Sequence, residues 1–257
     1  MTSNFAEKLS TTDIHRDHRL SFCESTLFPN GTYTAVVYGN SHAECASGAV
    51  YLNPLFKRVI TMSAHACRVP AQSDSDKGMV NTNRAMMEVV EKFKPDVIFF
   101  ISSYNGHEYF ESLKYPLSED RGYVIMDEML KHFSKHSKAI ILNLPNFRYP
   151  TEICPEFIRM KKQKKSFDFR IKRKSIREKD PKLNKAHARV AALDCPKCYW
   201  WDYQEALCGD NYCNPIDFDT GLPLMRDFGH INVLGMRKFI PILDTLTRKA
   251  LNLTLWD

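Results

Sequence analysis

The sequence predicts a three-layer α/β/α fold, flavodoxin-like, with a five-stranded parallel sheet. Strand-sized apolar runs alternate with amphipathic stretches along the whole chain, the order of parallel strands joined by crossover helices. The runs are mostly β-branched or aromatic and are bounded by Gly, Pro, Asn or Asp. No internal repeat or low-complexity linker divides the 257 residues. A single domain over 1–257 follows, with 1–30 as an N-terminal extension and 159–182 as a basic insertion.

The first strand is expected at 33–38, followed by a tight turn and a helix over 42–52. A second strand at 58–63 leads to a helix over 83–94, where Met86, Met87, Val90 and Phe93 recur at the spacing of one buried face. That spacing makes the methionines core residues. Strands at 97–102 and 139–144 flank a helix at 123–137. In the basic insertion, Asp180-Pro181 reads as an N-cap followed by a first-turn proline, opening a helix over 181–193 packed through Leu183, Ala186, Val190 and Leu193. A strand at 199–202 and a helix at 232–251 complete the set. Right-handed crossovers then gather the strand C-termini along one edge, where ligands of open α/β sheets bind. Ser41, 104–107, 145–147 and 203–230 fall on that edge.

A 44% hydrophobic chain of this length can bury a full core. Its longest apolar stretches are strand-sized, far short of the roughly 20 residues of a membrane span, so the segment reads as soluble. The first residues lack the basic-then-apolar layout of a secretory signal. The net charge of +6 is local: 159–182 holds twelve Lys or Arg against three acids, a net +9, leaving the rest at −3. Only Phe167 and Phe169 interleave that run, too few for a base-stacking platform, so it reads as a solvated face and no nucleic acid is expected. Eight cysteines and two sequons, Asn30-Gly31-Thr32 and Asn252-Leu253-Thr254, favour an extracellular or lumenal glycoprotein over a reduced cytosolic chain.

Two motifs carry the chemistry. Gly39-Asn40-Ser41-His42 follows the first strand, and a serine on such a turn exposes its hydroxyl at the sheet edge. Asp227-Phe228-Gly229-His230 arrives from a distant loop; His230 can take the serine proton while Asp227 fixes the imidazole tautomer. The Ser41 N–H is the first element of an oxyanion hole, and Asn105, after the third strand, can donate a second hydrogen bond. Alone, each has a plainer role: Ser41 as a helix cap, Asn105 as a turn residue before Gly106, Asp227 as a local cap. Convergence of three loops at one edge is what favours the catalytic set Ser41, His230 and Asp227. His42 and His107 lie near the edge without a matching acid. No metal or cofactor is required.

With those residues the chain resembles the SGNH hydrolase superfamily, and in particular the SGNH domains appended to membrane-bound acyltransferase-3 proteins. The histidine after the serine, the run Leu207-Cys208-x4-Cys213, the Asp227-x-x-His230 and the following Ile231-Asn232 and Gly235 carry the likeness, which spans Tyr33 to Ile242. The resemblance implies the SGNH hydrolase fold and an O-acyltransferase or esterase working through an acyl-serine. It also implies an acyl donor, a hydroxyl acceptor on carbohydrate or lipid, and a linked membrane acyltransferase domain delivering the acyl group. The chain departs where the superfamily has Gly-Asp-Ser and this sequence Gly39-Asn40-Ser41, and where glycine is replaced by Ser103. Residues 61–67, after the second strand, also lack the usual oxyanion glycine. A module that binds without turnover is the alternative those departures suggest.

Cys195-x-x-Cys198 and Cys208-x4-Cys213 suit a four-thiolate zinc site, which would make a zinc-stabilised basic nucleic-acid-binding protein. The second pair falls at a disulfide position of the resembled family, which favours bridges, with the connectivity open.

Overall fold

The computed structural model describes residues 20–65, 69–70, 77–104, 107–179 and 181–254. Its sheet has the expected five parallel strands: β2 (Tyr33–Asn40), β3 (Phe56–Ala64), β4 (Val97–Ile101), β5 (Ala139–Asn143) and β7 (Cys198–Trp201). A sixth, β1 (Leu20–Ser25), pairs antiparallel with β3, giving the order β1-β3-β2-β4-β5-β7. It lies inside the segment read as an extension. Six residues without a clear alternation, on a partly exposed edge, carry a weak signal beside the buried runs of the centre.

Strand periodicity sorts the core. One face of β2 and β4 sends Ala35, Val37, Val97, Phe99 and Ile101 towards the helices α1 (Ser41–Tyr51) and α7 (Val233–Ala250). The other sends Val36, Tyr38, Ile98 and Phe100 towards α2 (Lys77–Phe93), α3 (Arg121–His136) and α6 (Pro181–Ala192). Continuous burial on both faces is what a central parallel strand requires, and it explains the unbroken apolar run Val97–Ile101. Leu183, Ala186 and Val190 are buried as the α6 periodicity predicts; Asp180 lies outside the described residues.

The basic insertion is more ordered than its composition suggests. It contributes the end of α4 (Ile153–Lys162), then β6 (Ile171–Lys172) and α5 (Arg173–Lys179). β6 pairs with β8 (Tyr212–Cys213) in a separate two-stranded ribbon. The cysteines bridge within each pair, Cys195 to Cys198 and Cys208 to Cys213. In the second, Gly209 N–H donates to Tyr212 O and Asn214 N–H to Leu207 O, setting the two cysteines opposite each other. Thiols joined in this way leave no thiolate for a metal, so the four-cysteine zinc reading falls. Among the described residues, no helix is long and apolar enough to cross a membrane.

Candidate active site

Ser41 stands where β2 ends and α1 begins. Gly39 is obligatory there, since a Cβ would lie 1.8 Å from the carbonyl oxygen of Ile101 on the neighbouring strand. Asn40 caps α1, its Oδ1 accepting from His42 N at 3.1 Å. Its amide also ties β2 to the end of β4, donating to Ser102 Oγ at 3.2 Å and Ser103 Oγ at 2.9 Å. Ser102 has already spent its proton on Val69 O at 2.7 Å, so the group facing it must donate. An ionised aspartate cannot, which gives a physical reason for Gly-Asn-Ser in place of Gly-Asp-Ser.

The acid and the histidine come from a clasped loop ahead of α7. Arg226 N–H donates to His230 O at 2.7 Å, and Asn232 N–H to Leu224 O at 3.0 Å, closing the loop on itself. Asn232 then caps α7 through Leu234 N and Gly235 N. Inside the clasp, Asp227 Oδ1 accepts from Gly229 N at 3.0 Å and His230 N at 2.9 Å. Partial burial would raise the Asp227 carboxyl, but those two amides and the imidazole hold it down at about 2. It is therefore ionised at neutral pH.

These distant segments converge. Ser41 Oγ lies 2.7 Å from His230 Nε2 across 189 residues of sequence, and His230 Nδ1 lies 2.9 and 2.8 Å from the two Asp227 oxygens. A carboxylate can only accept, so Nδ1 carries the hydrogen and Nε2 is left to accept from the serine hydroxyl. Ser41, Asp227 and His230 are all partly accessible. A general base with a nucleophile on one nitrogen and an orienting acid on the other is the arrangement that nucleophilic acyl chemistry uses. Asn105 lies outside the described residues, as do residues 66–68.

A second serine–histidine–acid cluster fails the same test. Ser21 Oγ at 3.0 Å and Glu44 Oε2 at 2.7 Å both approach Nε2 of His65, so one nitrogen serves both partners and cannot pass a proton between them.

The residue that sequence reasoning passed over is His42. Its ring stacks on His230 with centroids 4.4 Å apart and planes 25° apart, and the Tyr203 ring meets it in an edge arrangement. It is 2% exposed, and its Nδ1 is buried without a hydrogen-bond partner among the described residues. Burial, then the neighbouring His230 and Arg148, push it down to about 3, so the ring is neutral at physiological pH. Of the two stacked imidazoles, only His230 has an acid to support a proton. Adjacency to Ser41 was the available signal; the contact across the fold was not.

The family model described as "SGNH domain (fused to AT3 domains)" matches residues 10–245. The periplasmic domain of a Salmonella ser. Paratyphi A lipopolysaccharide acetyltransferase superposes with a TM-score of 0.53 at 16% identity, covering 87% of this chain and 84% of that one. A catalytic mutant of an acetylxylan esterase from Geobacillus stearothermophilus gives 0.44 at 14% identity, over 87% and 96% of the two chains. No curated protein matches. At 16% identity the likeness to the acetyltransferase domain is one of fold.

Proposed function

The chain belongs to the family of SGNH domains that are fused to AT3 domains, and from that premise we propose that it is an acyl-transfer domain whose nucleophile is Ser41. The observation that carries the reading is the continuous set of short contacts from Asp227 through His230 to Ser41 Oγ. His230 Nε2 removes the Oγ proton as Oγ attacks the acyl carbonyl. The tetrahedral oxyanion is held by the Ser41 N–H at the start of α1 and by Asn105. Collapse breaks the donor's ester bond, His230 returns the proton to the departing oxygen, and an acyl ester remains on Ser41. An acceptor hydroxyl, or water, then gives its proton to His230 as it attacks that ester, and Ser41 Oγ leaves with the proton. Asp227 stays ionised throughout and stabilises the imidazolium. The neutral ring of His42 packs against it without adding a second positive charge.

The acceptor in this reading is a carbohydrate or lipid hydroxyl, and a membrane-bound acyltransferase-3 domain supplies the acyl group. The site is extracytoplasmic. Two disulfides and two sequon asparagines, Asn30 and Asn252, both exposed, support that placement. Release of 4-nitrophenol from 4-nitrophenyl acetate tests the chemistry. The wild-type chain should turn over, and His230→Ala should lose about 10³-fold or more in kcat. Equal rates would sink the triad, whereas any turnover abolished by that substitution excludes the reading as an inert binding module.

A further inference from the structure

A cleft of about 660 Å³ opens between the loop after β5 and the β6–α5 segment of the basic insertion. That volume suits a single sugar. Its apolar lining is Phe147, Pro150, Ile171 and Ile176, and its polar lining includes Arg148, Arg170 and Lys172 with no acid among the lining residues. The three cations are not equivalent. Asp168 engages Arg170 through both oxygens, at 2.9 and 2.8 Å, and Arg170 also faces the Tyr212 ring. Arg148 and Lys172 make no ion pair among the described residues, so two cations face the cleft uncompensated.

The cleft adjoins the triad. Tyr149 N–H donates to Phe228 O at 2.7 Å, strapping the loop after β5 to the Asp227–His230 clasp. The Arg148 stem runs beside Gly229: a Cβ there would lie 3.6 Å from Arg148 Cγ and 3.5 Å from His42 Cε1. The opposite wall is tethered as well, because Lys172 pairs with Tyr212 next to Cys213 of the Cys208–Cys213 bridge. Same-sign charges on low-dielectric walls focus their field into the space between them, and an arginine fork matches a phosphate or carboxylate.

We propose that this cleft is the acceptor subsite and that it selects a sugar-type acceptor carrying a phosphate or carboxylate, the anion held by Arg148 and Lys172 while a hydroxyl is presented to the acyl-serine. The role as acceptor subsite rests on the acyl-serine reading; the anion preference does not. Calorimetry on the whole chain with glucose 6-phosphate, glucuronic acid and glucose measures the preference directly. At about 20 mM salt an anionic sugar should bind about tenfold or more tightly than glucose, and about 0.5 M NaCl should reduce the difference to under about threefold. Glucose 6-phosphate against glucuronic acid distinguishes phosphate from carboxylate. Arg148→Gln with Lys172→Gln should bring the ratio near one, and Lys172→Gln alone, at an exposed position, should lower it if the double variant does not fold. Equal binding of charged and neutral sugars by the wild type, or a preference that survives in the variants, overturns the proposal. With 4-nitrophenyl acetate as donor, acetyl transfer should follow the same order. An anion preference in binding without any transfer would sink the acyl-serine reading and leave the anion site, while equal transfer to charged and neutral sugars would sink the subsite and leave the serine.

Discussion

Asp120 and Asp227 each grip a cation-forming side chain with both carboxylate oxygens, in very different surroundings. Asp120, 1% exposed, caps α3 through Tyr123 N and holds Arg189 of α6 at 2.8 Å on each oxygen. Arg189 also donates to the carbonyls of Glu111 and Ser112, so one guanidinium fastens α3, α6 and the 109–112 loop together. Asp227 grips His230 with the same two-oxygen geometry at a partly open edge. A guanidinium does not give up its proton, so the buried pair is a fixed joint. An imidazole does, and a serine hydroxyl waits on its far nitrogen. In the acyl-transfer reading, what separates the two is the partner's ability to exchange a proton and what lies beyond it, while both carboxyls are held low.

Exchanging the two cases breaks the comparison most sharply. Asp227→Asn should cut kcat about 10⁴-fold by releasing the wrong tautomer, while urea unfolding changes by no more than about 1 kcal/mol. A comparable loss in stability would make Asp227 a structural acid like Asp120. The converse substitution, Arg189→Met, leaves a buried uncompensated carboxylate and should cost about 3–5 kcal/mol in urea unfolding, with kcat per folded molecule unchanged. The sign of its pH dependence is a second check. A depressed carboxyl contributes stability in full above its unfolded value of 3.8 and loses it below that, as pH falls through the lowered folded value, so the gap between variant and wild type should narrow on acidification below pH 3.8.

The smallest effect concerns the ring between these extremes. His42 is neutral when folded, at about 3 against 6.5 when free, so the unfolded chain binds one more proton between those values. Stability should therefore fall as pH drops from 6.5, by about 3 kcal/mol at pH 4.5 from this residue. Replacing it by phenylalanine keeps a ring against His230 and should flatten that slope in unfolding titrations. An unchanged slope would mean that His42 is protonated in the folded chain.

The same contrast separates what was legible in the sequence from what was not. Gly39-Asn40-Ser41 and Asp227-x-x-His230 are local patterns with fixed turn chemistry, and the central strands are long apolar runs, so the fold class and the meeting of Ser41, Asp227 and His230 could both be read. β1, with half its edge open, and the two-residue strands β6 and β8 have too little periodicity to stand out. The apolar Ile153 and Phe157 of α4 are masked by Pro155 and by the cations that follow. Contacts made only on folding left no local signal: Arg189 with Asp120, His42 with His230, and Arg148 beside Gly229. Asn105, outside the described residues, stays a proposal as an oxyanion donor.

The central claim is that Ser41, through His230 and Asp227, is the activated nucleophile. Labelling with a fluorophosphonate, followed by peptide mass mapping, addresses it most directly. The wild-type chain should carry the adduct on Ser41, and Ser41→Ala should carry none. Equal labelling of the two chains, or an adduct on another residue, would contradict it.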